Sequence, residues 1–239
     1  MTTSTSDEIF AAMAATWPAA AVKPVGGWTI RIGRGGGRRV SATTGDGNGN
    51  IDQAESAMSA LSQPHLFMIQ GNDSPLDQAL ASRGYQAVAS TTAYACPIEM
   101  LTSHTVPHLA GFALWPPLAI MDEIWAKGGI GTERLAIMHR VTGPRTAILG
   151  RANERAAGTA FVAIYRDIAM IHAIEVVPIS RRQGVGINIM RTAARWAQDQ
   201  GARYFSLLVT DANAPAIALY RKLGLSVVGH YHYRVRQKQ

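Results

Sequence analysis

The stretch from Ile174 to Gln198, I-E-V-V-P-I-S-R-R-Q-G-V-G-I-N-I-M-R-T-A-A-R-W-A-Q, restricts the fold more than any other part of the chain. Its lead-in, His172 to Val177 with Glu175 inside it, is an apolar run that predicts a buried strand. Pro178 ends that strand, because it has no N–H to offer a neighbour. Arg181-Arg182-Gln183-Gly184-Val185-Gly186 follows. Ile187, Met190, Ala194 and Ala197 then fall near three- and four-residue spacing, which predicts a helix. A strand, a glycine turn and a helix aim free backbone N–H groups and a positive helix end at one point. An anionic group, most naturally a phosphate, fits there. Taken alone, the pattern also describes an ordinary strand-to-helix turn with solvated arginines.

The loop R-R-Q-G-V-G resembles the Arg/Gln-x-x-Gly-x-Gly/Ala signature of the GNAT superfamily of N-acetyltransferases, including its V-x-P lead-in. Downstream, Asn213-Ala-Pro-Ala-Ile-Ala-Leu-Tyr220-Arg-Lys-Leu-Gly-Leu225 is similar to that family's second signature, N-x-x-A-x-x-L-Y-x-x-x-G-F, with Leu225 in place of Phe. The resemblance covers Thr146 to Arg236 well and the first hundred residues only loosely. It implies an α/β (α+β) fold, a mixed, mostly antiparallel sheet flanked by helices, and acetyl-CoA as co-substrate. The implied roles follow residue by residue. The pantetheine runs beside Glu175, Val176 and Val177, with the Val176 N–H as the oxyanion donor. The pyrophosphate sits on the backbone of Arg182, Gln183, Gly184, Val185, Gly186 and Ile187, with the Arg181 and Arg182 side chains adding charge. Asn213 contacts the cofactor, and Tyr220 stands near the thioester sulfur.

Acyl transfer to an amine needs a neutral amine, an N–H donor for the oxyanion and an acid for the leaving thiolate. Tyr220, with an ordinary pKa of about 10, is protonated at neutral pH as such an acid must be. Its competing role is a core tyrosine between helix and sheet. Asn213 can equally be a helix N-cap, and both roles can coexist. Glu175 is the candidate base, because a carboxylate in an apolar strand is costly unless paired, wet or functional, and desolvation would raise its pKa. A water path is the alternative. His172 falls on the opposite face from Glu175 if the strand is regular.

At 239 residues the chain has room for one large domain or two small ones. Its single cysteine, Cys96, excludes an internal disulfide framework and is expected to be a buried structural thiol in a reducing cytoplasm. No apolar run approaches about 18 residues, so no membrane partner is expected. The net charge of +7 suits an acidic ligand. Nucleic acid is not expected, since the basic residues are spread out, in clusters such as Arg38-Arg39 and Arg221-Lys222, with no recognised binding motif.

In chain order, a helix is predicted over Asp7 to Trp17, a strand over Trp28 to Ile32, a glycine turn at Gly33 to Gly37 and a returning strand over Arg38 to Ala42. The Asp46 to Asp52 region resembles a calcium loop, best in the register with Thr44 first and Glu55 twelfth. A Gly/Asn loop with Asn50 or Asp52 capping the helix Gln53 to Leu61 is the simpler reading. Next come a strand Leu66 to Gln70, a turn at Asn72-Asp73, a helix Pro75 to Ser82 and a strand Tyr85 to Tyr94. Ser103 to Phe112 is the expected linker, where Pro107 argues against His104 and His108 binding a metal from one helix. Two helices are predicted, Pro116 to Ala126 and Thr132 to Val141, and in this region Trp115, Trp125 and Met138 are acceptor-pocket or core residues. An antiparallel meander, Thr146 to Val177, precedes the strand Tyr204 to Thr210, the helix Pro215 to Leu223 and the strand Leu225 to Arg236.

Leu66 to Val88 parallels Ser206 to Val228 at an offset of 140, which aligns Pro75 with Pro215 and Gly84 with Gly224. The first copy has Leu80 where the second has Tyr220, and nothing before it matches R-R-Q-G-V-G. The expected organisation is a degenerate GNAT-like lobe over 1–105 and a catalytic domain over 106–239. The expected activity is direct attack of a primary amine, on a small molecule or a protein, on acetyl-CoA in a ternary complex. A non-catalytic acyl-CoA-binding sensor or scaffold is the alternative.

Overall fold

Both halves of the chain contribute strands to one sheet. The computed structural model describes residues 5–45, 49–71 and 75–236. The expected turn at Asn72-Asp73 and the Asp46 to Asn48 part of the calcium-like loop lie outside the described residues.

Helix α1 (Ser6–Thr16) opens with a capping box: Thr5 Oγ1 accepts from the Glu8 N–H, and the Glu8 carboxylate accepts from the Thr5 N–H. Strands β1 (Ala21–Val25), β2 (Trp28–Ile32) and β3 (Thr44–Gly45) form a small antiparallel sheet. Arg38 to Ala42 is not the returning strand expected. Arg38–Ser41 is a single helical turn, α2, which buries Val40, and β3 makes the return to β2. The glycine run lets the chain reverse at once, with the Gly36 N–H donating to the Gly33 carbonyl, so the helical turn starts where a strand was expected.

Helix α3 (Ile51–Ala60) is capped by Asn50, whose Oδ1 accepts from the Asp52 N–H at 2.8 Å. Glu55 accepts from the Tyr85 hydroxyl at 2.8 Å and lies 3.5 Å from Arg236. Then follow β4 (Leu66–Gln70), α4 (Pro75–Ser82), β5 (Gln86–Pro97), α5 (Glu99–Thr102), β6 (Gly111–Leu114), α6 (Ala119–Lys127) and α7 (Thr132–Arg140). The chain ends with β7 (Arg145–Ala152), β8 (Arg155–Tyr165), β9 (Ile168–Val176), α8 (Val185–Asp199), β10 (Tyr204–Thr210), α9 (Ala214–Lys222) and β11 (Ser226–Val235). Part of the expected linker is therefore the edge strand β6, paired with β7.

The large sheet runs β4-β11-β5-β10-β9-β8-β7-β6. Its pairings are antiparallel except for β9 with β10. It is the expected mixed, mostly antiparallel sheet flanked by helices. The meander turns between β7, β8 and β9 use left-handed residues, Asn153, Glu154 and Arg166. Helix α8 packs its apolar face on one side of the sheet, around Ile189, Met190 and Ala193. On the other side, α6 and α7 cover Ala147, Phe161 and Ala163. Trp125 and Met138 belong to that core, and Trp115 packs on its margin beneath Arg145.

The repeat is visible in the pairing. β4-α4-β5 and β10-α9-β11 are the same β-α-β unit, and adding 140 to Ser82 and Gln86 gives the ends Lys222 and Ser226. Gln70 pairs with Tyr231, and Thr210 with Thr91. Those are one pair with the offset applied in opposite senses, and Leu66 with Val235 matches Ser206 with Ala95 in the same way. Each unit thus inserts its second strand between the two strands of the other. Asp77 fastens the exchange, accepting from Arg234 Nε and Nη2 at 2.7 and 2.8 Å and pairing with His232 at 2.7 Å.

Candidate active site

A fault in β9 creates the cleft. β8 and β9 are paired with Phe161 opposite His172 and Thr159 opposite Glu175, so Ala173 and Ile174 together face Ala160. This is a β-bulge, and Ala173 takes its left-handed conformation, φ 51°. The Trp125 indole N–H donates to the Ala173 carbonyl at 2.8 Å and holds the bulge from α6. Beyond it β9 leaves β10. The two are paired only from Ile168–Ile171 against Tyr204–Leu207, although both strands run on. A gap opens there between two parallel strands.

The bulge corrects the expectation for His172 and Glu175. Their partners, Phe161 and Thr159, are two residues apart on a regular strand, so both side chains share one face. His172 is nevertheless committed elsewhere. Arg39 Nη1, always a donor, approaches its Nδ1 at 3.4 Å, so the Nε2–H faces Thr16 Oγ1 at 2.9 Å. Thr16 in turn donates to the Ala12 carbonyl at 2.6 Å. Burial, then the Arg39 charge, hold the His172 pKa well below its ordinary value, and the ring is neutral.

Past the bulge the Val177 N–H donates to the Ala157 carbonyl at 2.9 Å. Because successive N–H groups alternate between strand edges, the Val176 N–H faces the gap left by β10. The chain then makes one 3₁₀ turn, Pro178–Ser180, and passes Arg182 at φ 63° and Gly184 at φ 81°, both left-handed. Gly184 is the N-cap of α8, with no side chain closing the helix. The N–H groups of Val185, Gly186 and Ile187 consequently lack intrahelical partners and carry the positive helix end. Arg181 folds back over the strand: its Nε donates to the Val176 carbonyl at 3.1 Å, and its Nη2 lies 3.4 Å from Glu175 Oε1.

These parts enclose a cleft of about 910 Å³. Among the expected residues, Glu175, Val176, Arg181, Arg182, Gly184, Val185, Gly186, Ile187, Asn213 and Tyr220 line it. Val177 and Gln183 do not; the first gives its N–H to Ala157, and the second bends back to the Ile179 carbonyl at 2.9 Å. Asn213 is the N-cap of α9, its Oδ1 accepting from the Ala216 N–H at 3.3 Å. Tyr220 is 7% exposed and stacks obliquely on Tyr94, with centroids 6.4 Å apart. Burial pushes its hydroxyl up to about 12. Unanticipated lining residues include Ile174, Ser180, Lys222 and, on α9, Ala216 and Leu219. The last two share a helix face with Asn213 and Tyr220, a three- and four-residue spacing that was there to be read.

Cys96 is a buried thiol, pushed up to about 12 by burial and then by Glu99. Among the described residues no group of three His, Cys, Asp or Glu side chains is placed to hold a metal, and no helix is long and apolar enough to cross a membrane.

Residues 119–225 match the model of the acetyltransferase (GNAT) family. Over 238 residues the chain is 28% identical to a Bacillus subtilis (strain 168) protein described as uncharacterized N-acetyltransferase YobR, covering 94% of this chain and 96% of that one. It is 39% identical over 87 residues to the streptothricin acetyltransferase of Streptomyces lavendulae, which is 36% of this chain and 46% of that protein. Two solved structures share the fold. A GCN5-related N-acetyltransferase from Kribbella flavida superimposes with a TM-score of 0.72 at 18% identity, over 98% of this chain and 96% of that one. A tandem GNAT protein from the clavulanic acid biosynthesis pathway gives 0.58 at 13%, over 78% and 69%.

Proposed function

We propose that this chain, whose residues 119–225 match the model of the acetyltransferase (GNAT) family, transfers the acetyl group of acetyl-CoA to a primary amine within a ternary complex. The observation that carries the reading is one continuous cleft. It joins an uncapped helix N-terminus to a buried, protonated phenol past a strand edge that β10 leaves unpaired.

The cleft suits the cofactor. Backbone N–H groups from Arg182 to Ile187 and the Arg182 guanidinium suit a pyrophosphate, as an uncapped glycine-started helix does generally. The gap between β9 and β10 offers a strand edge to an extended, amide-bearing arm. When bound, acetyl-CoA supplies the activated acyl group and a thiol leaving group.

The residues of the chain do the rest. The Val176 N–H donates to the oxygen that gains charge as the amine attacks. Tyr220 holds its proton throughout the physiological range and delivers it from Oη to the departing sulfur. Glu175, half-buried and shared with Arg181, accepts the amine's proton directly or through water. Isothermal titration with acetyl-CoA, followed by thiol release against a panel of amines, tests the reading. Binding without thiol release from any amine would leave the sensor alternative in its place.

A further inference from the structure

A second chamber, of about 270 Å³, lies beyond the β9 bulge. His172 and Ala173 line it, whereas the next three residues, Ile174, Glu175 and Val176, line the cofactor cleft. The two spaces are therefore neighbours along β9, on either side of the bulge. Three arginines, Arg38, Arg39 and Arg134, face the chamber, and no carboxylate is among its lining residues.

Arg39 sets the chemistry. Its guanidinium is part-buried, lies 3.4 Å from His172 Nδ1 and lines the chamber together with Tyr231 and Tyr233. Its Nε is sealed from solvent and has no partner among the described residues. His172 is neutral, so it neither repels nor neutralises the charge. The guanidinium stays charged, and although that charge lowers the Tyr231 phenol against the burial that raises it, no carboxylate faces it in the chamber. The arrangement makes sense for a group that arrives with its own negative charge. A planar guanidinium edge matches a carboxylate, and the chamber is small enough to hold little more than such a group and a few carbons. Arg38 and Arg134, exposed at the mouth, add a field that draws an anion inward.

We propose that the acetyl acceptor is an amine that also carries a carboxylate, seated on Arg39, with its nitrogen reaching through the parted strands to the cofactor cleft. The proposal rests on the acyltransferase reading. In the step itself the amine nitrogen bonds to the acetyl carbon, the carbon–sulfur bond breaks, the thiolate takes a proton, and the nitrogen loses one. The carboxylate is a handle and takes no part.

The test titrates the full chain, saturated with CoA, with N-acetylglycine and longer N-acetylated α- and ω-amino acids, each against its carboxamide. The acid is expected to bind at least about 10-fold more tightly than its amide, the range of a charge-assisted hydrogen bond. Arg39→Gln should lose about 10- to 100-fold for the acid and little for the amide. Should Arg39→Gln fail to fold, Arg134→Gln at the exposed mouth should weaken the acid alone, by a factor that shrinks with added salt. Amides binding as well as acids, no acid binding at all, or an unchanged preference in both variants would each overturn the proposal. Acetyl-CoA titration in the same proteins reports separately on the acyltransferase reading, because Arg39 and Arg134 do not line the cofactor cleft.

Discussion

Replacing Tyr220 by Phe removes one hydroxyl and keeps the ring that closes the core against Tyr94. Among the described residues that hydroxyl has no hydrogen-bond partner, so folding stability should change by less than about 1 kcal/mol. Turnover should respond quite differently. A positioned acid contributes about 10²- to 10⁴-fold. Burial has pushed this phenol up to about 12, which keeps the proton in place but makes it a reluctant donor at neutral pH. The lower end of the range is therefore expected, a loss of about 100-fold in kcat, or about 3 kcal/mol of barrier. Acetyl-CoA affinity should stay within about threefold, a difference under about 0.7 kcal/mol. Thiol release measures the rate, titration calorimetry the affinity and thermal unfolding the fold. Tyr220 should also give wild type no descending limb below about pH 11. Equal kcat in the two proteins would remove Tyr220 from the chemistry. A rise in Kd matching the loss of rate would make it a binding residue instead.

Gly184→Ala places a side chain in open space but at φ 81°, so it should destabilise by about 1–2 kcal/mol and leave much of the acetyl-CoA binding, as melting and calorimetry would show. Gly186→Val is the contrasting case. Its Cβ would sit 3.2 Å from Leu219 Cδ2 and cover the helix start, so acetyl-CoA affinity should fall more than about 10-fold with little change in melting. The Arg234 hydrogen bond, followed by that of His232, holds the Asp77 carboxyl below its ordinary pKa, so its contribution is full above about pH 4 and is lost as pH falls further. Asp77→Asn should therefore cost about 2–3 kcal/mol at neutral pH and flatten the acid side of the stability profile, read by denaturant melts at several pH values. His172, kept neutral by burial and Arg39, gives a contribution that is full above about pH 6.5 and declines below it as the unfolded chain takes up the proton. His172→Gln should remove that decline.

Elements with proline or glycine at or near a boundary were the most legible. The predicted Trp28 to Ile32, Leu66 to Gln70, Pro75 to Ser82 and Tyr204 to Thr210 are observed with those bounds. Prolines at helix starts and left-handed glycines at helix ends, such as Gly84 and Gly224, act locally and leave a local mark. β1 and β6 left none. β1 is exposed along most of its length and contains Pro24, and β6 is only four residues long, so neither carries an alternating pattern. Their strand state comes from the partner across the ladder. The glycine loop was legible because its peculiarity, an uncapped helix begun by glycine, is written in consecutive residues.

The arginine chamber was illegible for the opposite reason. Arg39, Arg134, His172 and Tyr231 come from four distant segments, α2, α7, β9 and β11, which only the tertiary fold draws together. Tyr231 packs on Phe10 of α1, and with Tyr233 it lines the chamber beside α2, a single helical turn where a strand was expected. The bulge at Ala173 was hidden as well. A strand with one extra residue looks in sequence like a regular one, since the insertion is defined only against β8. Yet this one residue places His172 and Glu175 on a common face, turns the Val176 N–H to the gap and separates the chamber from the cofactor cleft. In the proposed reaction, affinity for acetyl-CoA would follow from the loop and could survive without the bulge. Directed attack could not, because the proposed acceptor must cross from the chamber to the cleft at that one open strand edge.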